Sequence, residues 1–318
     1  MNQTSRRVWS ATKSGLPKAR RTIIWLLKMI LPISLAVRLL QFSGVLDYVS
    51  IALNPIFQAI GLPGEASIVF VSSVFLPLYA PIAIASSLSL TIRQLTILGI
   101  MCLISHNTLV ETAVQKKTGS NFAFIWFLRI GMSFVAAFLW NWLLPPHMGA
   151  AQALAVSSVA EQTIGPVLLI WAQGALALSL KIAIIVTVLM ILQRLLEEFH
   201  VMDMLSKIFA PVMQFMGLSR DSSFLWFVAN IIGLTYGSAI LIEQVQEGKI
   251  STKDASMLNN HLAISHSLLE DTSLWVVVGV PVFWVTVPRV ALAIVVVWVI
   301  RFFKRILYRK RLSIKPSN

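Results

Sequence analysis

The chain has 318 residues, 57% of them hydrophobic and 12% charged, with a mean hydropathy of +0.80. No soluble fold covers that much apolar surface, so a multi-pass membrane protein is expected. The net charge of +13 is not a nucleic-acid footprint, because 14 of the 26 basic residues lie in 1–28 and 301–315 and no aromatic-basic module accompanies them.

In chain order, residues 1–21 form a basic segment, expected in the cytoplasm against anionic headgroups. S-R-R-V-W resembles a twin-arginine signal, but the apolar run at 22–43 starts well downstream and has no cleavage site, so an uncleaved first span is expected. A short mixed segment at 46–60 follows, and then 65–87, apolar but interrupted at L-P-L-Y-A-P (Leu76 to Pro81). Segment 91–115 carries I-S-H-N-T-L-V-E-T (Ile104 to Thr112), and 121–143 ends among tryptophans and prolines. A polar, charge-poor stretch covers 146–164. The series then recurs at 174–198, 202–216, 222–243, 252–275 and 280–302, before a basic tail at 303–318. Long apolar runs, rather than alternating ten-residue ones, mean helices and not a barrel. Cys102 is the only cysteine, which excludes an internal disulfide and a cysteine metal cage, and a packed core thiol is expected there.

The recurrence holds residue by residue. I-S-H-S-L-L-E-D-T (Ile264 to Thr272) repeats the first motif, with His106 and His266, Glu111 and Asp271, Gly119 and Gly279, and Arg129 and Arg289 each 160 positions apart. Upstream, Arg38 and Arg194, Pro55 and Pro211, and G-L-P-G-E-A-S (Gly61 to Ser67) and G-L-S-R-D-S-S (Gly217 to Ser223) pair at 156. The domain organisation expected is therefore repeat 1 at 22–145, a polar extracytoplasmic connector at 146–173, and repeat 2 at 174–302.

Charge decides how the copies relate. If 65–87 crosses fully, the repeats run parallel and Lys116, Lys117, Lys207 and Arg220 lie outside, against the positive-inside bias. If it is a re-entrant hairpin broken at Leu76–Pro81, those residues and Lys249 and Lys253 lie inside, and only Arg93 is misplaced. The fold class expected is thus an all-α integral membrane protein of two inverted repeats, each with three spanning helices and a broken or re-entrant helical hairpin. Pro77 and Pro81 break the first hairpin, and Gly233, Gly237 and Ser238 stand in the matching place of the second. A merely kinked spanning helix is the alternative.

Ionisable groups inside such helices are functional candidates by default. In a continuous helix Asn107 and Glu111 share a face, whereas His106 and Glu111 lie about 140° apart. Similarly His266 and Glu270, and Ser267 and Asp271, share faces. Counting back from a turn at Gly119 places Glu111 near Arg129, and Asp271 likewise near Arg289. Two buried ion pairs are expected, either holding helical hairpins in register or setting the charge of a cavity. The histidines can bind solute, relay protons or ligate a metal. No H-x-x-x-H or C-x-x-C spacing marks a metal set, so no metal ligands and no cofactor are assigned. Ser105 and Ser265 either contact solute or back-bond to the preceding turn. His200 and His261 are expected to be solvated, and Glu65 and Asp221 read as first-turn acids. No nucleophile elbow, zinc-protease, Walker or dinucleotide motif occurs, so no enzyme is expected.

G-L-P-G-E-A-S, the apolar run and break after it, and I-S-H-N-T-L-V-E-T-A-V-Q-K-K-T-G resemble the gate, or nucleoside-recognition, domain superfamily of bacterial membrane proteins. That superfamily includes regions of concentrative nucleoside transporters, the membrane domain of ferrous-iron transporter B, and spore maturation proteins A and B. The likeness covers roughly 25–143 and 181–302. It implies inverted repeats whose broken helix ends bind solute. The chain departs from the iron transporters in having no G-domain and in placing Tyr79 and Tyr236 where they carry cysteine at the break.

The function expected is a permease of the bacterial inner membrane, both termini cytoplasmic, for a small polar solute or ion. Ser105, His106, Asn107, Ser265, His266, Ser267, Tyr79 and Tyr236 would line its site, with Glu111, Arg129, Asp271 and Arg289 as a buried charge network. A non-transporting assembly partner and a divalent-metal transporter are the alternatives. The partners expected are the lipid bilayer and the solute, with a homo-oligomer left open and no nucleic acid.

Overall fold

The computed structural model describes residues 3–148 and 163–313. Among them every regular element is helical, and each repeat supplies seven α-helices. Repeat 1 comprises α1 (Gln3–Phe42), α2 (Val45–Ala59), α3 (Ala66–Phe75), α4 (Tyr79–Ala85), α5 (Ile92–Ser105), α6 (Thr108–Lys116) and α7 (Phe122–Leu143). Repeat 2 answers with α8 (Ile164–Glu198), α9 (Val201–Phe215), α10 (Ser223–Ile231), α11 (Leu234–Gln246), α12 (Thr252–Ser265), α13 (Glu270–Val277) and α14 (Val282–Ser313), with one 3₁₀ turn at Arg220–Ser222.

Four stretches among the described residues are long and apolar enough to cross a bilayer: Ile92–Lys116, Phe122–Leu143, Ile164–Glu198 and Val282–Ile306. They coincide with four of the six expected crossings. The fifth, 252–275, lies in α12 and α13, where Asn259, Asn260, His261 and His266 are turned inward and make the segment polar. The sixth, 22–43, lies in α1, part of whose side chains fall outside the described residues. The first stretch is 72% buried inside the protein against 28% for the other three, so it forms the centre and they face lipid.

Two boundaries differ from expectation. The helices do not stop where the charges begin: α1 starts at Gln3 instead of 22, α8 starts at Ile164 instead of 174, and α14 runs on to Ser313. Basic residues are good helix formers, so nothing ends these helices at the headgroups. At 40 residues α1 is roughly 60 Å long by its rise of 1.5 Å per residue. That is about twice a hydrocarbon core. The connector's residues 149–162 lie outside the described set. Secondly, 91–115 and 252–275 are not continuous helices, because each breaks at its histidine.

The repeats are inverted. Gly99 packs on Trp275, His106 meets His266, and Gln115 meets Asn259, so the partner's number falls as the residue number rises. The pair α5–α6 therefore runs antiparallel to α12–α13. Moving Gly99–Trp275 by 160 in each member gives Asn259–Gln115, so a two-fold relation lies across the two motif segments. The outer pair obeys the same rule: α1 and α8 pair Arg7 with Glu198, Gly15 with Ile191 and Ser34 with Trp171.

The second hairpin folds back on itself. A Cβ built on Gly237 would lie 2.8 Å from the Ala229 Cα, whereas an unbroken helix would hold residues eight apart roughly 12 Å from each other. Only glycine permits this approach. Gly237→Val is expected to lower the thermal unfolding temperature in detergent, by a loss of about 1–3 kcal/mol. A wild-type midpoint would contradict the packing.

Candidate functional site

Each repeat breaks twice at membrane depth, and local chemistry explains each break. Between α3 and α4, Pro77 forces Leu76 into extended backbone (φ −119°, ψ 157°). Pro81 instead sits in the first turn of α4, where its missing N–H is harmless. Between α10 and α11, Gly233 takes φ 115°, open only to glycine. In the two motifs the histidine turns extended (ψ 148° at His106, 164° at His266) and the next residue turns left-handed: Asn107 at φ 46° and Ser267 at φ 50°. Short polar residues are among the few side chains that tolerate this region.

The freed backbone groups are satisfied in the same way in both copies, as a membrane interior demands. Asn107 N–H donates to Ser73 O at 2.8 Å, and Ser267 N–H to Ala229 O at 3.1 Å. Each motif is thereby fastened to the carbonyls ending the first hairpin helix of its own repeat. On the other side stand the two wholly buried arginines. Arg129 donates to Ile104 O (2.7 Å) and His106 O (2.8 Å), capping the end of α5, and its Nη1 lies 2.6 Å from Glu111 Oε2. Glu111 stands in the first turn of α6, where the helix dipole favours an acid.

The second copy departs from this. Arg289 donates to His266 O (3.2 Å) and Thr272 Oγ1 (3.4 Å), and no Asp271–Arg289 ion pair forms among the described residues. The expected second pair is therefore not made at contact distance, although Asp271 and Arg289 still attract each other across a longer gap. Aspartate is one methylene shorter than glutamate, and Asp271 is aimed at the histidines instead.

The two imidazoles face each other with ring centroids 4.9 Å apart and Nε2 atoms 3.4 Å apart. His106 Nδ1 lies 3.2 Å from Cys102 O, and His266 Nδ1 2.7 Å from Leu262 O. A carbonyl only accepts, so each Nδ1 carries the proton and a neutral ring presents a bare Nε2 to its partner. Around these atoms lie Glu111 Oε1 (3.2 Å from His106), Asp271 Oδ2 (3.3 Å from His106, 4.0 Å from His266) and Glu111 Oε2 (3.3 Å from His266). His106, His266 and Asp271 could hold a metal ion, with donor atoms within 4.8 Å of one another. The contact between His106 and Glu111 contradicts their placement on different faces, because the break at Asn107 swings α6 out of the register of α5.

The four breaks open onto one cavity of about 500 Å³. Pro77–Tyr79, His106 with Asn107 and Glu111, Ile232–Leu234, and Ser267 with Glu270 and Asp271 line it. Of the residues expected at the site, His106, Asn107, Ser267 and Tyr79 stand on its wall, and His266 lies buried behind His106. Ser105 and Ser265 do not line it. Ser105 Oγ donates to Met101 O at 2.8 Å, and Ser265 Oγ lies 3.2 Å from His261 O and 2.7 Å from the His261 ring nitrogen, so both bond back to the preceding turn. The side chain of Tyr236 lies outside the described residues.

Sequence reasoning put Glu270 on the face of His266 but left it out of the site, and it lines the cavity and accepts a hydrogen bond from Tyr79. Its signal was the E-D pair directly after the break. His261, expected in solvent, is fully buried between Trp226 and Ser265. Asn259 was also missed: its amide donates to Gln115 O, Thr118 Oγ1 and Ser120 Oγ, tying α12 to the turn after α6. His200, Glu65 and Asp221 are exposed and away from the cavity.

Residues 23–120 and 179–279, falling on the two repeats, match the Gate family, described as nucleoside recognition. The chain is 30% identical over 284 residues to the uncharacterized membrane protein YvoD of Bacillus subtilis (strain 168), an alignment covering 88% of this chain and 91% of that protein. No solved structure matches it.

Proposed function

The chain belongs to the Gate (nucleoside recognition) family, and from that premise we propose that it is a permease for a small polar solute or ion, with its site in the midplane cavity. The observation that carries this reading is the convergence of four helix breaks, two from each inverted repeat, on one polar cavity. Irregular backbone at membrane depth persists only where protein or a water-filled cavity covers it. Broken helices meeting between inverted repeats are the arrangement by which secondary transporters hold solute while one repeat rocks against the other. A partner that merely assembles with other proteins has no need of such a cavity. The basic residues at both ends favour cytoplasmic termini in the inner membrane, in contact with anionic lipid.

The test is uptake into proteoliposomes containing the purified chain, across nucleosides, amino acids, organic ions and divalent cations. His106→Ala and His266→Ala are each expected to cut the initial rate at least tenfold for the solute that moves. Full transport by both variants would remove the cavity from the pathway. If no solute moves and none raises the unfolding temperature, the assembly reading takes its place.

A further inference from the structure

We propose that the cavity holds one divalent first-row transition-metal cation, bound by His106 Nε2, His266 Nε2 and Asp271 Oδ2 with a fourth position open to the cavity. The proposal rests on reading this cavity as the solute site and gives the solute, or its coupling ion, a chemical class.

Geometry is the first support. Imidazole nitrogens bind such ions at about 2.0–2.1 Å, so two of them at a tetrahedral angle stand about 3.4 Å apart. The two Nε2 atoms are 3.4 Å apart, and His106 Nε2 to Asp271 Oδ2 is 3.3 Å. The third edge, His266 to Asp271, is wider at 4.0 Å.

The second support is electron-pair bookkeeping. Both Nδ1 atoms are committed as donors to backbone carbonyls, so both Nε2 lone pairs point at each other and at carboxylate oxygens. A proton can occupy one of those gaps and leaves the others lone pair against lone pair. One dipositive ion among His106 Nε2, His266 Nε2 and Asp271 Oδ2 meets those three lone pairs at once, and Glu111 stays with Arg129. Donation of the far ring nitrogen to a backbone carbonyl is also the usual way a protein orients a metal-binding histidine.

Charge agrees. Glu111 is taken by Arg129 at 2.6 Å, whereas among the described residues Asp271 has no arginine within ion-pair distance and its carboxylate is turned to the imidazoles. With nitrogen and oxygen donors and no thiolate, the set suits borderline ions of the zinc and cobalt kind over copper(I) or calcium. Three protein ligands with the fourth place facing a cavity describe an exchangeable site, unlike the closed four-ligand cages of structural zinc.

The test is a Co²⁺ titration of the purified, tag-free full chain in detergent. The expected result is one equivalent bound, with the intense visible absorption of tetrahedral cobalt, displaced by Zn²⁺. Zn²⁺ should also raise the unfolding temperature. His106→Gln and His266→Gln are expected to weaken binding at least 100-fold and abolish both signals, while the exposed His200→Ala keeps them. Should a histidine variant fail to fold, Asp271→Asn serves, with a loss of at least tenfold. A folded wild type that binds neither ion, or binding kept by both histidine variants, overturns the proposal. Uptake of another solute with no metal bound would overturn the metal site alone. Metal bound with no uptake of anything would uphold it and overturn the permease.

Discussion

Arg129→Leu is expected to destabilise the protein by about 3–5 kcal/mol, the loss that follows when one partner of a buried ion pair is removed and the other charge stays behind. The arginine is fully buried and does three things at once: it neutralises Glu111, and it donates to the carbonyls of Ile104 and His106 that the helix break leaves open. No water in the bilayer core can replace it. Chemical unfolding in mixed micelles measures the effect, and a change below about 1 kcal/mol would contradict the assigned role. Adding Glu111→Gln should recover part of the loss, because the stranded charge disappears while the two carbonyls remain unserved. Full recovery would mean that the carbonyl bonds contribute nothing. Arg289→Leu should be milder, since Arg289 has no carboxylate partner at ion-pair distance among the described residues and donates over longer bonds.

Trp275→Ala is expected to lose on the order of 2–3 kcal/mol, the magnitude of a void of roughly 100 Å³ at about 24 cal/mol per Å³. Trp275 is fully buried, and its ring lies 3.2 Å from the position a Cβ would take on Gly99. In a soluble core the transfer of the indole from water would add to the loss, but lipid is as apolar as the interior, so the packing share dominates here. The indole nitrogen has no hydrogen-bond partner among the described residues, so none of their hydrogen bonds is lost with the ring. The same measurement applies, and an unchanged midpoint would contradict close packing at this contact. Its two-fold counterpart, Gln115 against Asn259, exchanges amide hydrogen bonds instead, so Gln115→Ala should act by stranding polar groups.

Much of the fold was legible in order and spacing. Apolar runs give the helices, offsets of 156 and 160 give the duplication, and the positions of Lys116, Lys117, Lys207 and Arg220 favour inversion over a parallel repeat. The hairpin breaks were legible because Pro77 and Gly233 act locally: one bars helix for its neighbour, the other adopts a backbone closed to other residues. The motif breaks were not. I-S-H-N-T and I-S-H-S-L contain no proline or glycine, and a left-handed Asn107 or Ser267 persists only because carbonyls of α3 and α10 accept its N–H. That support comes from residues more than thirty positions away. Missing these breaks put His106 and Glu111 on opposite faces of a continuous helix.

The sequence by itself determined a membrane-embedded, all-helical and duplicated chain, favoured inverted copies, and singled out the histidines, acids and arginines as groups that must find partners. Those conclusions follow from hydropathy, charge and the spacing of the repeats, which the chain carries before it folds. Spacing alone pointed Glu111 to Arg129, and only the tertiary structure decided the other partners. Asp271 turns from Arg289 to the imidazoles, and His106 and His266, 160 residues apart, bring their Nε2 atoms to 3.4 Å. The physical reason is that pairing depends on direction as well as distance: a half-helix swung out of line, or one methylene fewer, re-aims a side chain by several ångströms, and linear spacing records neither.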